Sequence, residues 1–226
     1  MKTSLSKNLL WAPFAFLAIR WGLYPLSFSS SDFREHSFLA VKPEEIRTST
    51  AYLTCLYIHI TFGGIALLTG WSQFIKPWRR SHLSIHRFIG YINVISVLIG
   101  SIMGFIISFF SNGGTITALG FGLLGVLWFR SNLNAFLNIK QGKIKEHEKW
   151  MMRTYALTFS AATFRVYNPI FLANGFDYVL VEQINSWICW VPNAIVIELF
   201  IRSRRSGKER KPMVKSEQKD ELLGRQ

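Results

Sequence analysis

Charged side chains are missing from long stretches of this sequence. Between Phe88 and Phe129 there is no Asp, Glu, Lys or Arg, and between Thr48 and Ile75 the only titratable side chains are one histidine, one cysteine and two tyrosines. A soluble domain would mix charged and apolar residues along its whole length, so that class is excluded. A membrane span needs about 20 mainly apolar residues, and both stretches are longer than that. The sequence therefore predicts an integral membrane protein.

Cysteine is also scarce. The chain contains only two cysteines, Cys55 and Cys189, and both fall within apolar stretches. Two isolated cysteines form neither a disulfide framework nor a zinc-binding signature. We expect both to be buried thiols that pack as small hydrophobic side chains.

The apolar stretches divide into six predicted spans joined by connections. Together they predict an all-α, polytopic membrane helical bundle that forms one domain over residues 1–201. A basic cytoplasmic tail, residues 202–226, is polar and lacks periodicity, so we expect it to be disordered. The predicted spans cover approximately residues 9–28, 50–75, 85–110, 116–138, 149–172 and 179–201.

The connections differ in their content of Lys and Arg. With six spans, one side of the membrane carries both termini and the basic segments 76–87 and 140–149, whereas the other side has only Arg34, Lys42 and Arg47. By the positive-inside rule, we expect both termini to be cytoplasmic. We also expect a multi-pass protein of the cell's inner (cytoplasmic) membrane. The net charge of +13 follows from this topology and from attraction to anionic lipid. The bilayer is thus the expected partner, and nucleic acid is not.

Three histidines are predicted to meet at the cytoplasmic edge of the bundle. His82 and His86 are one helical turn apart, and His147 precedes the fifth span at the same level. Histidines on neighbouring helices can bind a metal ion, here through His82, His86 and His147. They can also supply the axial nitrogens of a haem b, here through His86 and His147. Histidines at a membrane interface are often simply amphipathic and hydrated, and that alternative stays open.

A second polar group is predicted in the other half of the membrane, where His59 and Arg165 lie at similar depth. A charge at the centre of a span costs about 2.5–3.5 kcal/mol, so such residues face the bundle interior or a partner. Together His59 and Arg165 can bind an anionic or polar group, such as a haem propionate, a quinone oxygen or a substrate carboxylate. The alternative for His59 is a buried neutral ring with an ordinary hydrogen bond. Arg153 and Glu198, on the fifth and sixth spans, are predicted to form a structural ion pair.

Several segments resemble a family of membrane proteins known as domain of unknown function 2306. The resemblance covers about residues 50–201 and implies a six-span fold, but it implies no particular activity. The general plan also bears a distant likeness, at the level of fold only, to cytochrome b561-type helical bundles. The segments that carry the resemblance are HRFIGYINVISVLIG (86–100), ALGFGLLGVLWF (118–129), HEKWMMRTYALTFSAATFRVYNPI (147–170) and WICWVPNAIVIEL (187–199).

Three classes of function remain open on this basis. The leading prediction is a b-type haem protein that transfers electrons, with a quinone or another redox partner. The second is a non-haem membrane enzyme or metal-binding protein built on the three cytoplasmic histidines. The third is a small transporter or accessory subunit in which His59 and Arg165 bind an anion or move protons, and a protein of this kind can act as a homodimer.

Overall fold

The computed structural model of the chain describes residues 2–29 and 38–204. The predictions for Arg34 and for residues 205–226 of the basic tail lie outside these ranges. Within the described residues all regular secondary structure is helical. The helices are α1 (Lys2–Gly22), a 3₁₀ turn (Tyr24–Ser29), α2 (Glu44–Arg47), α3 (Thr50–Gly70), a 3₁₀ turn (Trp71–Phe74), α4 (Lys76–Ser81), α5 (Leu83–Ser108), α6 (Gly114–Lys140), α7 (Ile144–Thr158), α8 (Ser160–Ala173), α9 (Tyr178–Ile188) and α10 (191–204).

Four helical segments of the described chain are long and apolar enough to cross a membrane. They coincide with the second, third, fourth and sixth predicted spans, so the all-α membrane bundle is confirmed. The count of six spans and the cytoplasmic position of the termini stay predictions. The four segments are Thr50–Phe74, Leu83–Ser108, Gly114–Lys140 and Tyr178–Arg204.

The helices pack largely in chain order, with α3 against α5, α5 against α6, and α6 against α7. Asparagine side chains join these neighbours by hydrogen bonds to backbone carbonyls. Asn93 donates to Ala66 at 3.0 Å, and Asn132 donates to Val94 at 2.9 Å. Such interhelical bonds hold membrane helices together where the hydrophobic effect between helices is absent.

Helix ends define two ends of the bundle, which we name for their composition. The turn end carries the tight turn at residues 111–113 and the turn at Gly175, whose positive φ of 80° lets the chain reverse after α8. Asp177 then caps α9, because its carboxylate accepts hydrogen bonds from the amides of Val179 and Leu180. The basic end carries residues 76–82 and 140–149.

The predicted fifth span is not one continuous α-helix, because the helix is interrupted at Phe159 between α7 and α8. Hydroxyl groups around the break bond to backbone carbonyls of the preceding turn. Thr158 donates to Thr154 at 2.9 Å, and Ser160 donates to Leu157 at 2.6 Å. Serine and threonine that bond back in this way bend helices. The break faces the interior of the bundle, since Thr158 and Ser160 are buried.

Candidate functional site

A cavity of about 710 Å³ lies between the helices at the turn end and reaches down to the break between α7 and α8. Pockets that bind small organic molecules have volumes of about 300–1,000 Å³, and this cavity falls within that range. Most of its wall is apolar and aromatic, with polar groups at a few separate points. The titratable residues in the wall are Tyr24, Lys42, Tyr52, His59, Arg165, Tyr178, Glu182 and Cys189.

Arg165 lies in the wall of this cavity, on α8. Its Nη1 donates a hydrogen bond of 2.9 Å to the carbonyl of Ala161, one turn earlier on the same helix. Its guanidinium lies 4.3 Å from the centre of the Tyr24 ring and 5.8 Å from that of Trp21, within the range of cation–π contacts. Among residues 2–29 and 38–204, no carboxylate oxygen lies within 4.0 Å of Arg165. These contacts orient the guanidinium but leave its charge unpaired within the described chain.

His59 lies in the same wall, on α3. Its Nδ1 is 2.7 Å from the carbonyl oxygen of Gly100 on α5. A carbonyl oxygen only accepts hydrogen bonds, so Nδ1 carries the proton. In the neutral ring the remaining nitrogen, Nε2, is then an acceptor at the cavity wall. The structure therefore places His59 and Arg165 together in the wall of one cavity.

Lys42 and Glu182 form the polar end of the cavity, at the turn end of the bundle. Lys42 is only 8% exposed, and its Nζ donates to the carbonyl of Phe110 and, at 3.0 Å, to Oδ1 of Asn112. Glu182 is 7% exposed and accepts a hydrogen bond of 2.9 Å from the hydroxyl of Tyr178. Burial lowers the pKa of Lys42, and the nearby Glu182 carboxylate opposes that shift. Lys42 therefore loses its proton at a lower pH than an exposed lysine.

The charged side chains of the cavity do not balance. The described lining residues include two cations, Lys42 and Arg165, and one carboxylate, Glu182. With a neutral His59, the described residues of the wall carry an excess of one positive charge. A charge in an apolar environment is costly unless it is paired. The cavity is thus electrostatically complementary to a molecule with one negative charge.

Aromatic side chains line the deeper part of the cavity. The indole nitrogen of Trp128 donates a hydrogen bond of 2.8 Å to the hydroxyl of Thr158, which fixes the indole beside the helix break. Phe121 and Phe164 meet edge to face, with their ring centres 5.7 Å apart. These residues form a rigid apolar wall on which an aromatic or aliphatic group can pack.

The two histidines predicted to ligate haem lie at the basic end, and neither lines this cavity. Nδ1 of His147 is 2.8 Å from the carbonyl oxygen of Ala135, which leaves Nε2 as its available ligand atom. Nδ1 of His86 is buried and has no hydrogen-bond partner within the described chain. The structure thus separates His86 and His147 from His59 and Arg165.

The third histidine of the predicted metal set, His82, lies at the start of α5 and is exposed. Its ring stacks on Trp78, with the ring centres 6.1 Å apart and the planes at 28°. In the part of the chain that the structure describes, no three His, Cys, Asp or Glu residues are grouped so that they could hold a metal ion. His82, His86 and His147 are therefore not assembled as a metal site in this structure.

Arg153 and Glu198 form an ion pair at the basic end, between α7 and α10. Nε and Nη2 of the arginine donate to the two carboxylate oxygens at 2.9 Å and 3.1 Å, which is a bidentate geometry. The guanidinium also lies 4.6 Å from the centre of the Trp150 ring. Both side chains are thus engaged with each other, and a structural role for the pair stays a prediction.

Sequence reasoning missed the polar end of the cavity. Glu182 carried a usable signal, because it is an acidic residue within the predicted sixth span, and such residues face the bundle interior. Lys42 carried none, because it lies in a connection, where lysine is ordinary. Tyr24, Tyr52 and Tyr178 were equally indistinguishable from the tyrosines common at membrane interfaces.

Comparison with known proteins bears on the central part of the chain. The family model described as "Predicted membrane protein (DUF2306)" matches residues 56–201, which include His59, Arg165 and Glu182 but not Lys42 or Tyr24. No curated protein matches the chain, and no solved structure matches it. The likeness to cytochrome b561-type bundles therefore gains no support. Because the family model covers well over half of the sequence, this chain is a membrane-spanning protein that belongs to the DUF2306 family of predicted membrane proteins.

Proposed function

We propose that the protein binds an amphipathic organic molecule with one negative charge in the turn-end cavity, as the binding site of a small transporter in the cytoplasmic membrane. The observation that carries the proposal is Arg165, a cation in the cavity wall with no carboxylate within 4.0 Å among the described residues. The anionic group of the ligand accepts hydrogen bonds from the guanidinium. Its apolar part packs on the aromatic wall formed by Phe121, Trp128 and Phe164.

The break between α7 and α8 supports a role in binding. The backbone at Phe159 keeps helical angles (φ −68°, ψ −13°), so the break is a local bend whose hydroxyl groups are available beside the cavity. Thr158 and Ser160, on the two sides of the break, both line this cavity. In the predicted topology the turn end faces away from the cytoplasm, so the ligand enters from the outer side.

Binding of a fluorescent monocarboxylate, 11-(dansylamino)undecanoic acid, to purified protein in phosphatidylcholine nanodiscs tests the proposal. Arg165→Gln removes the cation and should raise the Kd about 10- to 150-fold, because a hydrogen bond to a charged group contributes about 1.5–3 kcal/mol. The matched control is Arg130→Gln, since Arg130 is exposed on α6 and does not line the cavity. An unchanged Kd in Arg165→Gln would remove the proposed role.

A haem b site between His86 and His147 is the second candidate function, and it corresponds to membrane electron transfer with a quinone or other redox partner. The observation that favours it is the bond from His147 to Ala135, because haem- and metal-binding histidines usually donate their other nitrogen to such an acceptor. The unpaired Nδ1 of His86 nearby is a second potential ligand atom. The cavity that binds the anion plays no part in this candidate.

Optical spectra test whether the protein binds haem b. Protein produced with ample haem supply should show a Soret band and an α band in the reduced-minus-oxidised spectrum, and His147→Ala should abolish both. His82→Ala is the matched control, because His82 is an exposed histidine at the same end of the bundle. A purified wild-type protein without these bands eliminates the candidate.

A further inference from the structure

We propose that the bound anion carries a planar aromatic ring with a hydroxyl or N–H group on its edge, and that His59 and Gly63 select for that ring. The proposal rests on the proposed function, which supplies the anion site at Arg165. It adds the chemical class of the rest of the ligand: an aromatic monocarboxylate or similar monoanion that also bears one hydrogen-bond donor.

The protonation state of His59 is the reason why we expect a hydrogen-bond donor on the ligand. Its Nδ1 already donates to Gly100 at 2.7 Å, so Nε2 of the neutral ring presents a lone pair to the cavity. Within the described chain no protein donor is bonded to that nitrogen. A neutral hydrogen bond contributes about 0.5–1.5 kcal/mol, and a hydroxyl or N–H of the ligand forms one with this nitrogen. A ligand with only acceptor groups forms no hydrogen bond with this nitrogen.

The shape of the cavity wall next to His59 is the reason why we expect a planar ring in the ligand. Gly63 lies one helical turn further along α3, on the same face, and also lines the cavity. A Cβ atom added at Gly63 would meet no atom of the described residues within 4 Å, so the missing side chain leaves a bare backbone surface. By contrast, a Cβ atom at Gly104 would come within 2.7 Å of the His59 ring, so that glycine serves helix packing. The space over Gly63 is open to a flat group.

The aromatic residues of the cavity wall suit a ring as well. Trp128 packs beside Gly100 and lines the cavity, and Phe121 and Phe164 follow around the wall. Aromatic pairs in offset or edge-to-face contact contribute about 0.5–1.5 kcal/mol beyond the area that they bury. A straight alkyl chain gains only the free energy of burying its apolar surface. Because His59 and Arg165 line the same cavity, one ligand can contact both.

Calorimetric titration in nanodiscs with three monocarboxylates tests the inference: 6-hydroxy-2-naphthoate, its 6-methoxy analogue and decanoate. The wild type should bind the hydroxyl compound about 2- to 12-fold more tightly than the methoxy compound, as expected for one neutral hydrogen bond of about 0.5–1.5 kcal/mol. His59→Asn should abolish that preference, because its amide nitrogen can still donate to Gly100 whereas the Nε2 acceptor is lost.

Steric blockage supplies an independent readout that does not alter His59. Gly63→Leu should weaken both naphthoates at least tenfold, while Gly90→Leu should not, since Gly90 on α5 also has open space around it but does not line the cavity. The inference is overturned if all three carboxylates bind equally and Gly63→Leu has no effect. In that case an Arg165-dependent affinity for decanoate still upholds the proposed function. If no carboxylate binds in an Arg165-dependent way, both proposals fail.

Discussion

The guanidinium of Arg165 lies 4.3 Å from the centre of the Tyr24 ring. Tyr24 lies in the 3₁₀ turn after α1 and Arg165 lies on α8, so this contact joins that turn to α8 at the cavity. The aromatic face offers the cation electrostatic stabilisation without neutralising it. The arrangement therefore keeps a positive charge in place at the cavity wall, where an anionic ligand can meet it.

The ion pair between Arg153 and Glu198 should contribute to stability. Glu198→Gln removes one charge and should lower the free energy of unfolding by about 1–2 kcal/mol, between the values typical of exposed and buried pairs. Thermal unfolding in detergent, followed by tryptophan fluorescence, measures the effect. Glu44→Gln is the matched control, because Glu44 is 80% exposed and its contact with Arg47 is 3.8 Å long. Equal melting temperatures for Glu198→Gln and the wild type would contradict a structural role.

Replacing two glycines with alanine should change the stability of the protein in opposite directions. A Cβ atom at Gly70 would overlap the ring of Tyr155, which is buried and donates to Leu67 at 3.1 Å. Gly70→Ala should therefore destabilise the protein by about 1–3 kcal/mol. Gly90→Ala meets open space within α5 and should stabilise it by about 0.5–1 kcal/mol, because alanine favours the helix. A stabilised Gly70→Ala in the same melting assay would show that the packing of Tyr155 is misassigned.

Ligand affinity should fall at alkaline pH because of Lys42. Burial holds the pKa of Lys42 below its ordinary value of 10.5, so rising pH removes this charge earlier than that of an exposed lysine. With Glu182 still ionised, the excess positive charge of the cavity then disappears and the Kd for a monocarboxylate rises. By contrast, the free energy of unfolding of the ligand-free protein should rise as the pH rises. Between the lowered pKa and 10.5 the unfolded chain binds more protons, so stability rises with pH.

The matched comparison for this pH dependence is Lys42→Met with Lys143→Met. Lys143 is an exposed lysine at the basic end. Lys42→Met should weaken binding at neutral pH and remove the alkaline step in the Kd, whereas Lys143→Met should retain both. An alkaline step that persists in Lys42→Met would assign the titration to another group.

Helical architecture could be predicted because it depends on local composition. Uncharged stretches long enough to cross the bilayer marked the helices, and the cost of a buried charge indicated that Arg165 and Arg153 face partners rather than lipid. The same argument brought His59 near Arg165 through their similar depth. These inferences need only the length of a helix and the number of residues per turn.

Other features depend on contacts between distant segments and could not be predicted. Lys42 reaches the cavity because the first connection folds against Phe110 and Asn112, and no sequence periodicity specifies that contact. The break at Phe159 involves neither proline nor glycine but hydroxyl groups that compete for carbonyls, which many unbroken helices also contain. Depth likewise suggested that His82 joins the other histidines, but it did not reveal the stacking of His82 on Trp78.

The central claim is that Arg165 binds the negative charge of the ligand. A double-mutant cycle tests it most directly, with wild type and Arg165→Gln each titrated with 11-(dansylamino)undecanoic acid and its uncharged methyl ester. We expect a coupling energy of about 1.5–3 kcal/mol between Arg165 and the carboxylate, with the Kd of the ester nearly unaffected by the substitution. Equal losses of affinity for the acid and the ester, or no loss for either, would contradict the account.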